Sequence, residues 1–319
     1  MPDAVAAPTM RIVTQESFGP ADVLHVAQAE RPTPGLGQVL VRVVAAGVNP
    51  VDIAIRAGRA RLYGPPPFTL GAELSGVVEE TGPGVGLFAP GDEVFGMPLF
   101  PALTGAYAEY AVSPSRQVVR KPAELDHREA AALPLVGLTA WQGLVEHAGL
   151  HSGQRVLIHA GGGGVGHVAI QVAKASGAHV ITTASAGKHE LVRSLGADDV
   201  IDYRTQRFED VARDVDVVFD LIGGDTVGRS LRTLRRGGVF LTAVDHGNRE
   251  VAARVTAAGH RFVGVSCEPD RLGLDSLVGL VRQGKLRVHV SSAIPLAEAS
   301  RAHRLIEEGS TSGKVVLVM

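Results

Sequence analysis

The pattern of apolar and polar positions changes character near residue 124. Before it, short β-rich runs such as 11–14, 39–44 and 75–80 are separated by turn residues at 32–37, 64–67 and 82–84. Short strands punctuated by Gly and Pro predict a mostly β domain. Residues 1–9 read as a loose tail. Beyond Leu125, the Ala- and Leu-rich stretch 128–144 predicts a helix that Pro134 and Gly137 kink or divide. Strand and helix periods then alternate. The strands are expected at 155–160, 179–183, 199–203, 215–221, 239–244 and 262–265. The helices are expected at 165–176, which Gly177 would cap, and at 188–195, 226–234 and 250–258. Parallel neighbours need crossover connections, so this alternation specifies a doubly wound parallel sheet. After Cys267 come a helix at 274–283, a strand-like run at 286–290, a helix at 296–308 and a strand at 314–318. The last strand is expected to return to the first domain and complete it. The expected boundaries are therefore 1–123 for the β domain, 124–267 for the α/β domain and 268–319 for the completing segment.

The firmest chemistry lies at the first α/β turn. Gly161-x-Gly163-x-x-Gly166 follows a strand and opens a helix, the context a dinucleotide-binding loop requires. Gly161 permits the tight turn, Gly163 the close approach of a pyrophosphate, and Gly166 the packing of helix on strand. The N–H groups around Gly164 and Val165 then face the phosphates, with the helix dipole behind them. An NAD site places Asp or Glu at the end of the second strand, about 20 residues on, to hold the ribose 2′-hydroxyl. Here that place reads Thr182-Thr183-Ala184-Ser185, with Lys188 just beyond and Tyr203 ending the third strand. A hydroxyl, an ammonium and a phenol can receive a 2′-phosphate, which favours NADPH.

Composition narrows the partners. The 319 residues suffice for two domains, and Lys plus Arg number 31 against 33 for Asp plus Glu, a net charge of -2. With no basic run, nucleic acid is not an expected partner. Cys267 is the single cysteine, which excludes an internal disulfide and a multi-cysteine metal site and fits a reducing compartment. No apolar run reaches the ~18 residues of a membrane span, and the acidic N-terminus is unlike a signal peptide. The expected location is cytoplasmic.

Segments 45–52 (AAGVNPVD), 71–78 (GAELSGVV), 91–96 (GDEVFG), 133–140 (LPLVGLTA) and 195–203 (LGADDVIDY), in this order around the glycine loop, carry a family resemblance. From Met10 to Met319 the chain resembles the medium-chain dehydrogenase/reductases, in their zinc-independent quinone oxidoreductase branch that includes ζ-crystallin. The resemblance implies an α/β Rossmann domain, a doubly wound parallel sheet, joined to a GroES-like mostly β catalytic domain, with the active site in the cleft. It implies that Asn49 lies near the nicotinamide and that Thr139 reaches the cofactor. Ser185, Lys188 and Tyr203 match the 2′-phosphate positions, and the backbone around Ile222 and Val244 would line the adenosine and nicotinamide-ribose side. Lys314 falls in a segment that approaches the NADPH phosphate. Zinc-dependent relatives carry Cys at the place of Asn49 and His at that of Ala72, and use a four-cysteine structural lobe. Only Glu73 survives of that pattern, so both zinc ions are expected to be absent. Relatives dimerise through an edge strand of the Rossmann sheet, here 262–265, which implies a homodimer.

Without metal, triad or paired carboxylate, the chemistry is one the cofactor carries by position. Hydride transfer from nicotinamide C4 to a quinone, or to the β-carbon of an enone, fits, because both spread the charge onto an oxygen that donors can stabilise. Asn49 is the candidate orienting donor. Tyr63 is a candidate proton donor or stacking surface, against the alternative of an ordinary loop aromatic. Asp52 is read as fixing its loop, His159 and His167 as packing residues, and Cys267 as a small buried residue without a cationic partner to activate it. Two other functions stay open: an enoyl reductase serving one pathway on a carrier-bound chain, and a NADPH-binding structural or regulatory protein. Substrate choice is assigned to the loops 56–69 and 97–107.

Overall fold

A computed structural model describes residues 8–60, 62–98 and 105–319. Most of the expected N-terminal tail, and much of the loop expected between Met97 and Tyr107, lie outside the described residues. In chain order the first strands are β1 (Thr9–Gln15), β2 (His25–Glu30), β3 (Gln38–Val48), β4 (Phe68–Thr69), β5 (Leu74–Thr81), β6 (Glu93–Gly96), β7 (Tyr110–Pro114) and β8 (Val118–Arg120). They continue as β9 (Arg155–Ile158), β10 (His179–Ala184), β11 (Asp199–Asp202), β12 (Val215–Asp220), β13 (Leu234–Thr242), β14 (Arg261–Gly264), β15 (Val290–Pro295) and β16 (Lys314–Val318). The helices are α1 (Pro50–Arg56), α2 (His127–Ala131), α3 (Pro134–Trp141), α4 (Gly164–Ala175), α5 (His189–Ser194), α6 (Phe208–Val211), α7 (Thr226–Ser230), α8 (Arg249–Ala257), α9 (Arg271–Arg282) and α10 (Ala299–Glu307).

The chain folds as two compact units: Met1–Leu135, Pro269–Asp275 and Val290–Met319 form the first, and Val136–Glu268 with Ser276–His289 the second. In the first, β3 is central. It pairs antiparallel with β5, β7 and β16, and the sheet runs β15-β16-β3-β5-β6-β8. The closing strand thus returns to the β-rich unit, with Val315 opposite Val48. A smaller sheet, β2-β1-β4, accompanies it. Their apolar faces share a core that includes Val41, Val43, Leu70, Leu74, Ile294 and Leu317.

The second unit is a six-stranded parallel sheet in the order β11-β10-β9-β12-β13-β14. This is the doubly wound α/β arrangement that the alternating periods specify. The strand order reverses beside β9, and ligands of such sheets bind outside the carboxyl ends of the strands at that point.

Local differences have local causes. The stretch expected as one helix over 128–144 is divided. Pro134 takes the first position of α3, where no N–H is needed, and a turn of π-helix over Gln142–His147 follows. The helix expected to 234 stops at Ser230, because Leu234 already pairs with Val215 and so begins β13. No strand forms over 286–289. Gln171 of α4 instead binds both main-chain groups of Arg287, each at 2.9 Å, and draws this segment into the second unit rather than the first.

Candidate active site and cofactor cradle

The glycine loop joins β9 to α4. Ala160 starts it in the left-handed region at φ 52°, an unusual conformation for a residue with a Cβ. Three bonds fix the turn: Gly161 N to Thr183 O at 3.0 Å, Ala160 N to Thr183 Oγ1 at 3.2 Å and Gly163 N to Ala160 O at 2.9 Å. Each glycine has its own reason. A Cβ on Gly161 would strike Thr182 Oγ1, and one on Gly166 would strike the carbonyl oxygen of Ala160. On Gly163 it would meet that same carbonyl oxygen at 3.2 Å and only one further protein atom within 4 Å, so packing demands less of this position. Gly163 is the extended N-cap of α4, and the N–H groups of Gly164 and Val165 have no partner within the helix.

His159 and His167 buttress the loop. His167 donates from Nδ1 to Gly163 O at 3.0 Å and accepts the His289 N–H at Nε2 at 3.3 Å, which fixes its tautomer. His159 lies between Thr183 Oγ1 and Ser230 Oγ, at 3.2 and 2.9 Å, with its ring edge-on to Phe208. Burial first, then the Arg229 charge, push His159 down to about 4, so it is neutral at pH 7.

At the end of β10 the threonine hydroxyls are engaged internally, Thr182 with Ile158 O at 2.7 Å and Thr183 with the loop. Ser185 follows. Ala184 is level with Asp202 on β11, so Ser185 and Tyr203 emerge side by side at the carboxyl edge. Lys188 lies across Gly162, whose Cβ would be 2.6 Å from Lys188 Cδ. Burial and the nearby Arg204 lower the Lys188 pKa. Arg204, 5.8 Å over the Tyr203 ring, is a second cation that sequence reading missed, although it stands next to Tyr203. These four side chains lie beside the loop, next to the Asp202 carboxylate, which accepts the Arg204 N–H at 3.0 Å.

The ends of β12 and β13 carry apolar residues into solvent. Asp220 and Thr242 are level, and each turns the chain by accepting main-chain N–H groups of the two to three residues that follow. Ile222 and Val244, each two residues further, are 54% and 49% exposed. Asp220 was missed because a carboxylate that organises a turn has no spacing signature. Thr139 is buried in α3, and Cys267 is half-buried.

The first unit holds the remaining expected residues, and here the structure corrects the reading. Asn49 is 0% exposed at the N-cap of α1. Its Oδ1 accepts from Lys314 Nζ and its Nδ2 donates one of its two N–H groups to Glu73 Oε1 at 2.7 Å. Lys314 is buried with its ammonium on Val48 O at 3.1 Å, Glu73 Oε1 at 2.8 Å and Asn49, and does not present itself to a phosphate. Tyr63 packs edge-on against Phe68 at 5.4 Å in the apolar core, which withdraws it from the role of proton donor. Asp52 fixes its surroundings, accepting from Asn49 N at 2.9 Å and Gly71 N at 3.2 Å, while burial pushes it up to about 7. A chain runs from buried Tyr107 through buried His303 (3.2 Å) and Arg56 (3.2 Å) to exposed Glu307 (2.5 Å). Arg56 can only donate, so His303 accepts at Nδ1 and donates from Nε2. Partners up to 251 residues apart left no mark in local spacing.

Residues 35–123 match the alcohol dehydrogenase GroES-like domain model and 195–317 the zinc-binding dehydrogenase model. The quinone oxidoreductase of Rattus norvegicus is 31% identical over 326 residues, covering 97% of this chain and 98% of its own. The solved quinone oxidoreductase of Coxiella burnetii is 35% identical, with a TM-score of 0.93 over 98% of this chain and 100% of that one. Mycobacterial Rv1454c, solved complexed with NADPH, is 31% identical with a TM-score of 0.87 over 97% of this chain and 100% of its own. Among the described residues no helix is long and apolar enough to cross a membrane. Strand order, glycine loop and whole-length similarity agree: the chain belongs to the quinone oxidoreductase branch of the medium-chain dehydrogenase/reductase superfamily.

Proposed function

We propose that the chain is an NADPH-dependent, zinc-independent reductase that delivers hydride to a quinone or an α,β-unsaturated carbonyl. One observation carries the cofactor choice: Ser185, Lys188, Tyr203 and Arg204 meet at the carboxyl edge of β10 and β11, where an NAD site would hold a carboxylate. Two cations beside a hydroxyl favour a charged 2′-phosphate over an uncharged 2′-hydroxyl. The glycine loop would hold the pyrophosphate, and Ile222 and Val244 would cover the ribose side. When bound, the nicotinamide supplies the hydride at C4. The acceptor gains two electrons and, with a proton from water, becomes a quinol or a saturated carbonyl. Water is assigned the proton because Tyr63, the candidate side-chain donor, lies in the core.

The relatives named quinone oxidoreductase support the substrate class, and the mycobacterial neighbour complexed with NADPH supports the cofactor. We further assign a homodimer formed through β14, the edge strand of the parallel sheet, and a cytoplasmic location in keeping with the single cysteine. Following NADPH and NADH oxidation with a panel of quinones and 2-alkenals tests the activity. Tight NADPH binding without turnover of any acceptor would refute the enzyme reading. Lys188→Ala should weaken NADPH binding about tenfold and leave NADH unchanged, the size of one lost charge-assisted contact. An unchanged preference would remove Lys188 from the phosphate site.

A further inference from the structure

The zinc-binding dehydrogenase model covers the segment containing Lys314, so a metal is the group this fold family implies. The donors present do not fit zinc. Asn49 and Ala72 offer no thiolate or imidazole, and among the described residues no three His, Cys, Asp or Glu side chains gather as a metal site. A cation is nevertheless present. The Lys314 ammonium touches three oxygens: Val48 O, Asn49 Oδ1 and Glu73 Oε1. The pocket around it is fully built. Glu73 and Asn49 are 0% exposed, and Glu73 Oε2 accepts the Leu135 N–H at 2.7 Å. Gly47 makes room for the carboxylate, since a Cβ there would be 2.6 Å from Glu73 Cδ. A carboxylate so buried needs a compensating charge. Every oxygen in the pocket suits a hard cation rather than zinc.

We propose that Lys314 is a tethered cation that fills this oxygen-lined pocket in place of a metal ion and orients Asn49, and that removing it uncovers a divalent-cation site made by Glu73, Asn49 Oδ1 and Val48 O. Holding the amide oxygen on an ammonium and its nitrogen on a carboxylate leaves the Asn49 side chain a single orientation. This is independent of which acceptor the enzyme reduces.

Manganese is the probe, because its electron paramagnetic resonance signal reports binding without any activity. Full-length wild type, Lys314→Ala and Lys314→Ala/Glu73→Gln would be titrated with MnCl2 and melted with and without it. The wild type should bind no Mn2+ and show no melting shift with EDTA. Lys314→Ala should melt lower, bind one Mn2+ per chain at least tenfold more tightly than the other two proteins, and regain part of its melting temperature with the metal. The double variant, lacking the stranded charge, should fold without metal and ignore it. Wild type binding one Mn2+ overturns the proposal. So does a Lys314→Ala protein of wild-type stability that binds none, or a double variant binding as tightly as the single. Should Lys314→Ala be insoluble, its recovery only in MnCl2 supports the proposal. Insolubility of both variants in every condition overturns it, because neutralising Glu73 would then have cured nothing.

Discussion

The helix that opens on the glycine loop touches the loop's own backbone, and Gly166→Ala tests what that closeness does. The added methyl would land on the Ala160 carbonyl oxygen, 2.8 Å from Gly161 Cα and 2.9 Å from Ala160 C. All three are backbone atoms, so no side chain can swing away. The loop resists too, since Gly161 and Gly163 are bonded in the turn and Ala160 already sits at φ 52°. Reaching ordinary contact requires the start of α4 to move by about 1 Å, and overpacking of this kind costs about 1–3 kcal/mol. That corresponds to a fall in melting temperature of roughly 3–10 °C for a unit of this size. The displaced N–H groups of Gly164 and Val165 would lose one charge-assisted contact with phosphate, about 1.5 kcal/mol or more than tenfold in NADPH affinity. Calorimetric titration with NADPH and a thermal melt measure the two effects. Gly279→Ala is the control: it lies in α9 with nothing within 4 Å of its Cβ, and should stabilise slightly with unchanged affinity. A Gly166→Ala protein binding NADPH within twofold of wild type and melting at the same temperature would refute the reasoning.

Two further outcomes are expected. His159 is held neutral at about 4 in the fold against 6.5 in the unfolded chain, so the unfolded state binds more protons between those values and stability falls as pH falls through them. Relative to His159→Gln, wild type should lose about 3 kcal/mol between pH 7 and pH 4 in urea unfolding; a constant difference would show that the ring is not shifted. Ser185→Asp places a carboxylate at the end of β10. It should weaken NADPH and favour NADH, moving the ratio of their dissociation constants at least tenfold, and an unmoved ratio would mean that this edge does not face the 2′ position.

Much of the second unit was legible because its information is local. The strand–glycine–helix order, the missing carboxylate at 182–185 and the 3.6- and 2-residue periods need only near neighbours. Failures came where a distant partner decides. Residues 286–290 look like a strand, but over 286–289 the main chain of Arg287 bonds to Gln171 instead of a neighbouring strand. Tyr63, beside Gly64 and three prolines, looks like an exposed loop aromatic until Phe68 and the core cover it. Arg204 escaped notice because an arginine in a polar run carries no signal until β10 and β11 are paired.

By itself, then, the sequence determined the α/β class, the phosphate loop and the family, since glycine positions and hydrophobic periods express backbone geometry directly. Only the tertiary structure decided what Asn49 and Lys314 do. Strand pairing brings β16 beside β3 and thereby sets Lys314 on Asn49 and Glu73, across 265 and 241 residues of chain. An ammonium that would seek phosphate on a surface seeks the nearest carboxylate when buried, because an unpaired charge in the interior costs more than any contact it could make outside.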